Sequence, residues 1–378
     1  MKRSALSCPL CLYEESQSFY RQEGVPVHSV VLLRDREEAL RYPTHRIDLH
    51  LCSRCGFIFN ADFDQSLMRY GPDYDGSQSH SERFRKFHNE LADSLIERFG
   101  LKGELIVEIG CGQGDFLQLL CRGERNRGLG YDPSYLGISD SEFVRIEPRV
   151  FEEAADDLSG AGLVVCKMTL EHIAQPRQFV QNVAAGCAPG TRCFFQVPST
   201  QRILDEGAFW DIYFEHCSYF RENCFHRLFE ENGFRVLEVW KDYDDQYLML
   251  DAVREQHPAS SSAADLGLGT FVQQLRLRRQ WIQDIGVSTE GPILFWGAGS
   301  KAVALTHHFP EGRVSAAVDV NPAKWDTYLP ASGLPVISPS RLTEWKPEMI
   351  LVLNSIYLEE VRSTLAGMPY SCRLEALR

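Results

Sequence analysis

The sequence has no long hydrophobic segment. None of its apolar runs approaches the ~20 residues that a helix needs to cross a bilayer. Residues 1–11 (MKRSALSCPLC) have no apolar stretch behind their two basic residues, so they do not resemble a secretory signal. From these absences we expect a cytoplasmic protein without a membrane partner.

Positive charge is also scarce. The 378 residues include 39 lysines and arginines against 52 aspartates and glutamates, which gives a net charge of −13. Proteins that bind nucleic acids usually present a basic face, because contacts with phosphates dominate their affinity. We therefore expect no nucleic-acid partner. The charge leaves the oligomeric state open.

Regular disulfide spacing is missing too, since eight of the twelve cysteines occur singly. The other four form two CxxC pairs, Cys8 with Cys11 and Cys52 with Cys55. Two such pairs supply four thiolates, the ligand set of a closed tetrahedral zinc site. We predict structural zinc here, with strands in the intervening segment. An iron–sulfur site and a coincidental pairing are the alternatives.

The chain divides into three sections. The first, 1–65, contains the cysteine pairs, and the second, 66–256, alternates strand-like with helix-like segments. A small, polar run at 257–264 is typical of a linker, and the third section, 270–378, alternates again. We predict a zinc-binding domain, a central α/β domain and a C-terminal Rossmann-like domain.

The central section has the pattern of an α/β fold. Apolar residues recur at helical spacing over 82–99, and short buried-strand patterns follow at 104–109, 128–132, 163–166 and 193–197. Alternating strands and helices predict a parallel sheet covered on both faces. Two last strands, 235–240 and 246–252, are joined by a short polar run and predict a terminal hairpin.

A glycine turn lies at the first strand-to-helix junction. Gly110, Gly112 and Gly114 are spaced G-x-G-x-G, and Glu108 stands two positions before them. A dinucleotide site needs a third glycine one position later. The observed spacing, with Glu108 before it, resembles motif I of the methyltransferases, which implies an S-adenosylmethionine site. Asp132, which ends the next strand, can then accept hydrogen bonds from the ribose hydroxyls. A tight turn in another doubly wound protein is the alternative.

Two glutamate–histidine pairs follow two strands of the predicted sheet. Glu171 and His172 come after one strand, and Tyr213, Glu215 and His216 lie in an aromatic loop after the next. The carboxyl ends of parallel strands meet at one edge, where ligands bind. Histidine is the usual proton-transfer residue near neutral pH. The alternative is a hydrophobic lid with hydrogen-bonded histidines.

At this point the sequence resembles a known family, the three-domain bacterial C-methyltransferases that act on nucleotide-linked deoxyketosugars. The resemblance covers nearly the whole chain. It rests on the CxxC pairs, EIGCGQG at 108–114, LEHI at 170–173, FWDIYFEHCSY at 209–219, and WGAGSK at 296–301 with VDVNPAK at 318–324. Segments 74–81 and 325–333 depart from the family, which leaves open a sister group with another acceptor.

The resemblance implies an S-adenosylmethionine-dependent enzyme with the class I methyltransferase fold and a C-terminal domain that covers the substrate. It implies that His216 is the base that removes a proton beside a ketone, with Tyr213, Glu215, His172 and Tyr74 around it. The resulting enolate attacks the sulfonium methyl group. The acceptor is expected to be a small molecule, nucleotide-linked in the family. The cofactor residues are Glu108, Gly110, Gly112, Gly114, Asp132 and Glu171.

Three other functions are consistent with parts of the pattern. One is N- or O-methylation of a small secondary-metabolite precursor, which needs no carbanion. Another is a zinc-dependent binding module with an inactive core, although the intact Glu108, glycine turn and Asp132 argue against it. The third is an NAD-dependent oxidoreductase. Both turns lack the glycine that this function requires, because Asp115 and Ala302 occupy those positions.

Overall fold

The computed structural model describes residues 7–124, 126–137, 141–152, 156–255, 264–368 and 371–377. Most of the predicted linker therefore lies outside the described residues. The strands are β1 (Ser16–Pro26), β2 (Thr44–Cys52), β3 (Ile58–Asn60), β4 (Leu105–Ile109), β5 (Arg127–Tyr131), β6 (Val144–Glu147), β7 (Ala161–Lys167), β8 (Arg192–Pro198), β9 (Ser218–Tyr219), β10 (Phe234–Asp242), β11 (Tyr247–Arg254), β12 (Ile293–Trp296), β13 (Val314–Val318), β14 (Val336–Ile337), β15 (Met349–Val352) and β16 (Arg373–Ala376).

The helices connect these strands. They are α1 (Arg36–Leu40), α2 (Glu82–Phe99), α3 (Asp115–Cys121), α4 (Pro176–Gly186), α5 (Thr200–Glu206), α6 (Glu222–Glu230), α7 (Phe271–Ser288), α8 (Ser300–Thr306), α9 (Leu342–Trp345) and α10 (Leu358–Leu365). Helix α2 has the predicted bounds. The Ser81 hydroxyl accepts a hydrogen bond from the Phe84 N–H at its start, and Gly100, with φ +62°, ends it. None of these helices combines the length and apolar character that a bilayer crossing requires.

The central sheet has seven strands in the order β10-β11-β8-β7-β4-β5-β6. Strands β8, β7, β4, β5 and β6 are parallel, and β11 joins β8 in the antiparallel direction. Strand β7 is buried nearly throughout, as expected for a strand covered on both faces. The α/β class and the hairpin are confirmed. Strand order reverses between β4 and β7, which places the expected ligand crevice at their carboxyl ends.

Two further sheets flank the central one. The C-terminal sheet is parallel, in the order β14-β13-β12-β15-β16. The N-terminal sheet is antiparallel, β1-β2-β3-β9, and contains the strands expected between the cysteine pairs. Its last strand, β9, comes from the central section, with Ile58 opposite Tyr219. No sequence pattern indicated this pairing, which connects the aromatic loop 209–217 to the N-terminal sheet.

Candidate active site

The glycine turn connects β4 to α3 at the crevice. All three glycines have positive φ, with +73° at Gly110, +56° at Gly112 and +83° at Gly114. A Cβ atom at Gly110 would lie 2.0 Å from Thr169 Oγ1, so that position has no room for a side chain. Gly112 has open space, with nothing within 4 Å of such an atom. The turn therefore leaves a concave backbone surface of the kind that a cofactor can approach closely.

Asp132, which follows β5, braces this turn. Its Oδ2 accepts a hydrogen bond of 2.8 Å from the Gly112 N–H. Its Oδ1 accepts hydrogen bonds from the Ser134 N–H at 2.8 Å and from the Ser134 hydroxyl at 2.6 Å. Asp132 thus fixes the turn from the neighbouring strand. Its predicted contact with ribose stays a prediction.

Glu108 carries a buried carboxylate below the turn. Its Oε2 has no hydrogen-bond partner among the described residues. Burial raises the pKa of Glu108, and the charge of Lys167 opposes that rise. A buried carboxylate oxygen without a partner is costly unless a ligand satisfies it. Together with the open glycine turn, this oxygen fits a cationic cofactor such as S-adenosylmethionine.

The two glutamate–histidine pairs meet at the same sheet edge. The rings of His172 and His216 lie 4.8 Å apart, and the ring of Tyr213 lies 4.1 Å from that of His216. One side-chain ligand atom from each of Glu171, His172 and His216 lies within 4.8 Å of the others. The structure therefore brings together the residues that the strand order predicted to be neighbours.

Burial controls the protonation of this cluster. It lowers the pKa of His172 to about 4 and, with the help of His172, holds the pKa of His216 well below its ordinary value. Both imidazoles are neutral at physiological pH and can accept a proton. Burial also raises the pKa of Glu171 to about 8, and neither of its carboxylate oxygens has a hydrogen-bond partner among the described residues. Glu171 is therefore largely protonated at neutral pH.

Glu215 points toward the first section of the chain. Its Oε2 accepts hydrogen bonds from the N–H of Ser29, at 2.9 Å, and from the Ser29 hydroxyl. Burial and the nearby charge of Glu215 hold the pKa of the Tyr74 hydroxyl well above its ordinary value, so the structure places Tyr74 beside this carboxylate. Ser29 Oγ also lies 3.0 Å from Ser300 Oγ of the third section. All three sections of the chain thus meet at Glu215.

Three residues of this cluster were not found from the sequence. They are Ser29, Tyr70, whose hydroxyl lies 3.1 Å from His172 Nδ1, and His28, whose ring lies 6.0 Å from that of Tyr70. His28 Nε2 accepts a hydrogen bond of 3.0 Å from the Arg69 N–H. Ser29 and His28 carry no motif. Tyr70 stands only four positions before Tyr74, and this proximity in the sequence was the one signal that could have placed Tyr70 in the cluster.

A cavity of about 270 Å³ opens beside the cluster. Its walls come from all three sections and include Val30, Tyr213, Tyr247, Lys301, Asn321 and Asn354. Tyr213 therefore links the cavity to His216. Gln246 and Asn354 pair their amides across the wall, at 2.9 and 3.3 Å. Amides, hydroxyls and aromatic rings of this kind suit a polar small molecule.

The charged groups in the cavity wall are balanced. Asp211 lies between Arg202, at 2.5 Å, and Lys301. Arg202 also contacts Glu206 at 2.8 Å, and Lys324 lies 3.5 Å from Asp319. The lysines and the arginine of the wall therefore already have carboxylate partners. A phosphate in the cavity would have to share them.

The four predicted metal ligands are gathered at the edge of the N-terminal sheet. Cys8 Sγ lies 3.7 Å from Cys55 Sγ, and Cys11 Sγ lies 3.6 Å from Cys52 Sγ. A tetrahedral zinc with bonds of ~2.3 Å requires sulfur–sulfur distances of about 3.8 Å. The observed distances and the four-thiolate donor set fit such an ion.

Comparison with known proteins agrees with this geometry. Residues 82–239 match the model of a methyltransferase domain, and residues 278–370 match that of the C-methyltransferase C-terminal domain. The chain is an S-adenosylmethionine-dependent methyltransferase. Both matches fall on the sections for which the sequence predicted this activity and a C-terminal Rossmann-like domain. The predicted activity, the fold class and the S-adenosylmethionine cofactor are confirmed, and the zinc ion stays a prediction.

Curated relatives of this methyltransferase include two kinds of enzyme. It is 26% identical over 360 residues to the C-methyltransferase NovU of Streptomyces niveus, covering 87% of this chain and 85% of that protein. It is 31% identical over 104 residues to the ubiquinone biosynthesis O-methyltransferase of Cronobacter sakazakii, covering 25% of this chain and 43% of that protein. A solved complex of the Haloferax volcanii Trm112 methyltransferase activator with a methyltransferase shares 16% identity and a TM-score of 0.40, over 47% of this chain and 94% of that one.

Proposed function

We propose that this methyltransferase forms a carbon–carbon bond at the carbon beside a ketone of a small molecule. A keto sugar linked to a nucleotide is the acceptor that the resemblance favours. The match of residues 278–370 to the C-methyltransferase C-terminal domain and the length of the match to NovU support carbon as the acceptor atom. The cytoplasmic location and the absence of nucleic-acid and membrane partners stay predictions.

One observation carries this proposal. Tyr213 lines the cavity, and its ring lies 4.1 Å from the ring of His216. The neutral imidazole of His216 therefore lies directly beside a hydroxyl donor that lines the cavity. Burial raises the pKa of Tyr213 well above its ordinary value, so its hydroxyl keeps its proton. A base beside a hydrogen-bond donor is the arrangement that enolate formation needs.

The reaction follows from these two side chains. His216 removes the proton from the carbon beside the ketone, and the electrons move to the ketone oxygen. Tyr213 donates a hydrogen bond to that oxygen while it is negatively charged. The cofactor, when bound, supplies an electrophilic methyl group. The enolate carbon would take this methyl group as the sulfur–methyl bond breaks and its electron pair stays on the sulfur. The ketone then re-forms, and the proton stays on His216 until solvent accepts it.

The cofactor-binding residues are part of the proposal. Glu108, the turn at Gly110, Gly112 and Gly114, Asp132 and Glu171 would hold the cofactor in the crevice between β4 and β7. A structural zinc ion bound by Cys8, Cys11, Cys52 and Cys55 completes the assembly. The three-domain division at 1–65, 66–256 and 270–378 is proposed as well. The three sheets support it, although β9 crosses from the second section to the first.

Proton exchange separates the proposed step from methyl transfer. The enzyme is incubated with a 4-keto-deoxysugar nucleotide and S-adenosylhomocysteine in D₂O, and NMR follows the proton beside the ketone. We expect exchange in the wild type and a loss of about 100-fold or more in His216→Ala. His307→Ala, which removes an exposed histidine outside the cluster, is the matched control.

A comparison of the wild type with His216→Ala also tests the alternative of N- or O-methylation. An amine or hydroxyl acceptor is methylated without removal of a proton from carbon. If the enzyme transfers methyl groups to such a compound while His216→Ala retains most of that rate, carbon methylation is wrong. If the wild type turns over a keto sugar but exchanges no proton faster than His216→Ala, His216 is not the base.

A further inference from the structure

Lys167 is a buried cation beside the glycine turn. It is the last residue of β7, and only 8% of its surface is exposed. Its carbonyl oxygen accepts a hydrogen bond of 3.0 Å from the Thr169 hydroxyl. The Thr169 hydroxyl oxygen is also the atom that limits the space at Gly110. Lys167 therefore stands at the carboxyl end of β7, where the strand order reverses.

The surroundings of Lys167 hold the ammonium group in place and leave part of it free. Its Nζ lies 3.0 Å from His88 Nε2 and 3.6 Å from the centre of the Phe116 ring. Burial lowers the pKa of His88 to about 2, so the imidazole is neutral and accepts one N–H from Lys167. An ammonium has three N–H donors. Among the described residues, His88 is its one hydrogen-bonding partner.

Glu108 supplies the opposite charge nearby. Its carboxylate and the Lys167 ammonium attract each other, yet they form neither an ion pair nor a hydrogen bond within the described parts of the chain. Glu108 Oε2 is left without a partner. A buried amine and a buried carboxyl group that influence each other without direct contact match a ligand that carries a carboxylate and an ammonium group.

We propose that Lys167 binds the carboxylate of the methionine part of the cofactor, while Glu108 faces its ammonium group. The amino-acid end of S-adenosylmethionine is a zwitterion, and the two side chains offer complementary groups from the carboxyl ends of the neighbouring strands β4 and β7. This assignment concerns the cofactor alone, so it holds for any methyl acceptor.

A purely structural balance of charge between the two side chains is the competing explanation. In that case Lys167 neutralises Glu108, and removal of the ammonium would disturb every ligand of the crevice by a similar factor. The proposed role instead makes the loss depend on whether the ligand has a carboxylate. Ligands that differ in this one group therefore distinguish the two explanations.

Calorimetric titration measures this difference without turnover. S-adenosylhomocysteine contains the whole amino-acid end, whereas 5′-methylthioadenosine lacks it. In Lys167→Met we expect the dissociation constant of S-adenosylhomocysteine to rise about 10- to 100-fold, the usual effect of losing a charged hydrogen bond. The constant of 5′-methylthioadenosine should change less than about twofold. Lys102→Met, at an exposed position, is the matched control and should change neither value.

A second comparison uses the unmodified protein, so it stands even if Lys167→Met does not fold. The decarboxylated analogue of S-adenosylhomocysteine keeps the ammonium group and loses only the carboxylate. We expect the wild type to bind it at least about tenfold more weakly than the parent. Equal binding of the two ligands by the wild type overturns the proposal. So does an equal loss of S-adenosylhomocysteine and 5′-methylthioadenosine in a folded Lys167→Met variant.

Discussion

The imidazole rings of His172 and His216 meet almost at right angles, with centroids 4.8 Å apart and an angle of 88° between their planes. His172 follows β7, and His216 lies in the aromatic loop after β8. Each ring lowers the stability of a positive charge on the other, because the two are close and buried. The pair can therefore hold one proton at most, which suits a base that must be unprotonated when the acceptor arrives.

The activity should show no histidine titration near pH 6.5. Burial keeps His172 and His216 neutral well below that pH, so the base is not lost as the solution becomes more acidic. Glu171, whose pKa is raised to about 8, is the group of this cluster that should titrate. A profile of kcat from pH 5.5 to 9 should bend near 8 and lose that feature in Glu171→Gln. A bend near 6.5 that disappears in His216→Asn would contradict this assignment.

Glu171→Gln should stabilise the protein at alkaline pH. The carboxyl ionises near 4.5 in the unfolded chain and at about 8 in the folded protein, so the folded state binds the proton more tightly. The contribution of Glu171 to stability is thus lost as pH rises from about 4.5 to about 8. Glutamine has no such dependence. We expect a higher Tm for the variant at pH 8 and little difference at pH 4.5.

The control for this substitution is Glu311→Gln at an exposed position. It should leave Tm unchanged across the same range. A Glu171→Gln variant that is less stable than the wild type at pH 8 would mean that the ionised carboxylate has a stabilising partner.

Alanine substitutions at Gly110 and Gly112 should differ in severity. Both glycines have positive φ, which costs alanine about 1–2 kcal/mol. At Gly110 the new Cβ also meets Thr169 Oγ1 at 2.0 Å, whereas at Gly112 it meets nothing within 4 Å. The free energy of unfolding of the ligand-free protein should fall further for Gly110→Ala than for Gly112→Ala. Equal losses would show that Thr169 can move aside without cost.

Cys55→Ser should release the metal. One thiolate fewer leaves a tetrahedral site open, and the affinity for zinc falls. Metal analysis of the purified wild type should find about one zinc ion per chain, and that of Cys55→Ser much less. Cys372→Ser, outside the cluster, should keep the full content. Iron and sulfide in the wild type in place of zinc would favour the iron–sulfur alternative.

The sequence predicted most of the central sheet. Helix α2 has the predicted bounds, and β4, β5, β7 and β8 lie within a few residues of their predicted positions. Periodicity and burial explain this success, because both are local properties of a chain that alternates strands with helices. The meeting of His172 with His216 also followed from the sequence, since each comes after a parallel strand and such ends share one edge.

Only the tertiary structure decided which other residues contact Glu215 and His172. Ser29, which contacts Glu215, and Tyr70, which contacts His172, come from segments far away in the chain. The pairing of β3 with β9 brings the first section next to the aromatic loop. Strand β9 has only two residues, too few to show an alternation of apolar and polar residues in the sequence. Spacing along a sequence reports which face of one element a side chain occupies. It carries no information on which separate elements pack together, because that depends on contacts that form only when the whole chain is folded.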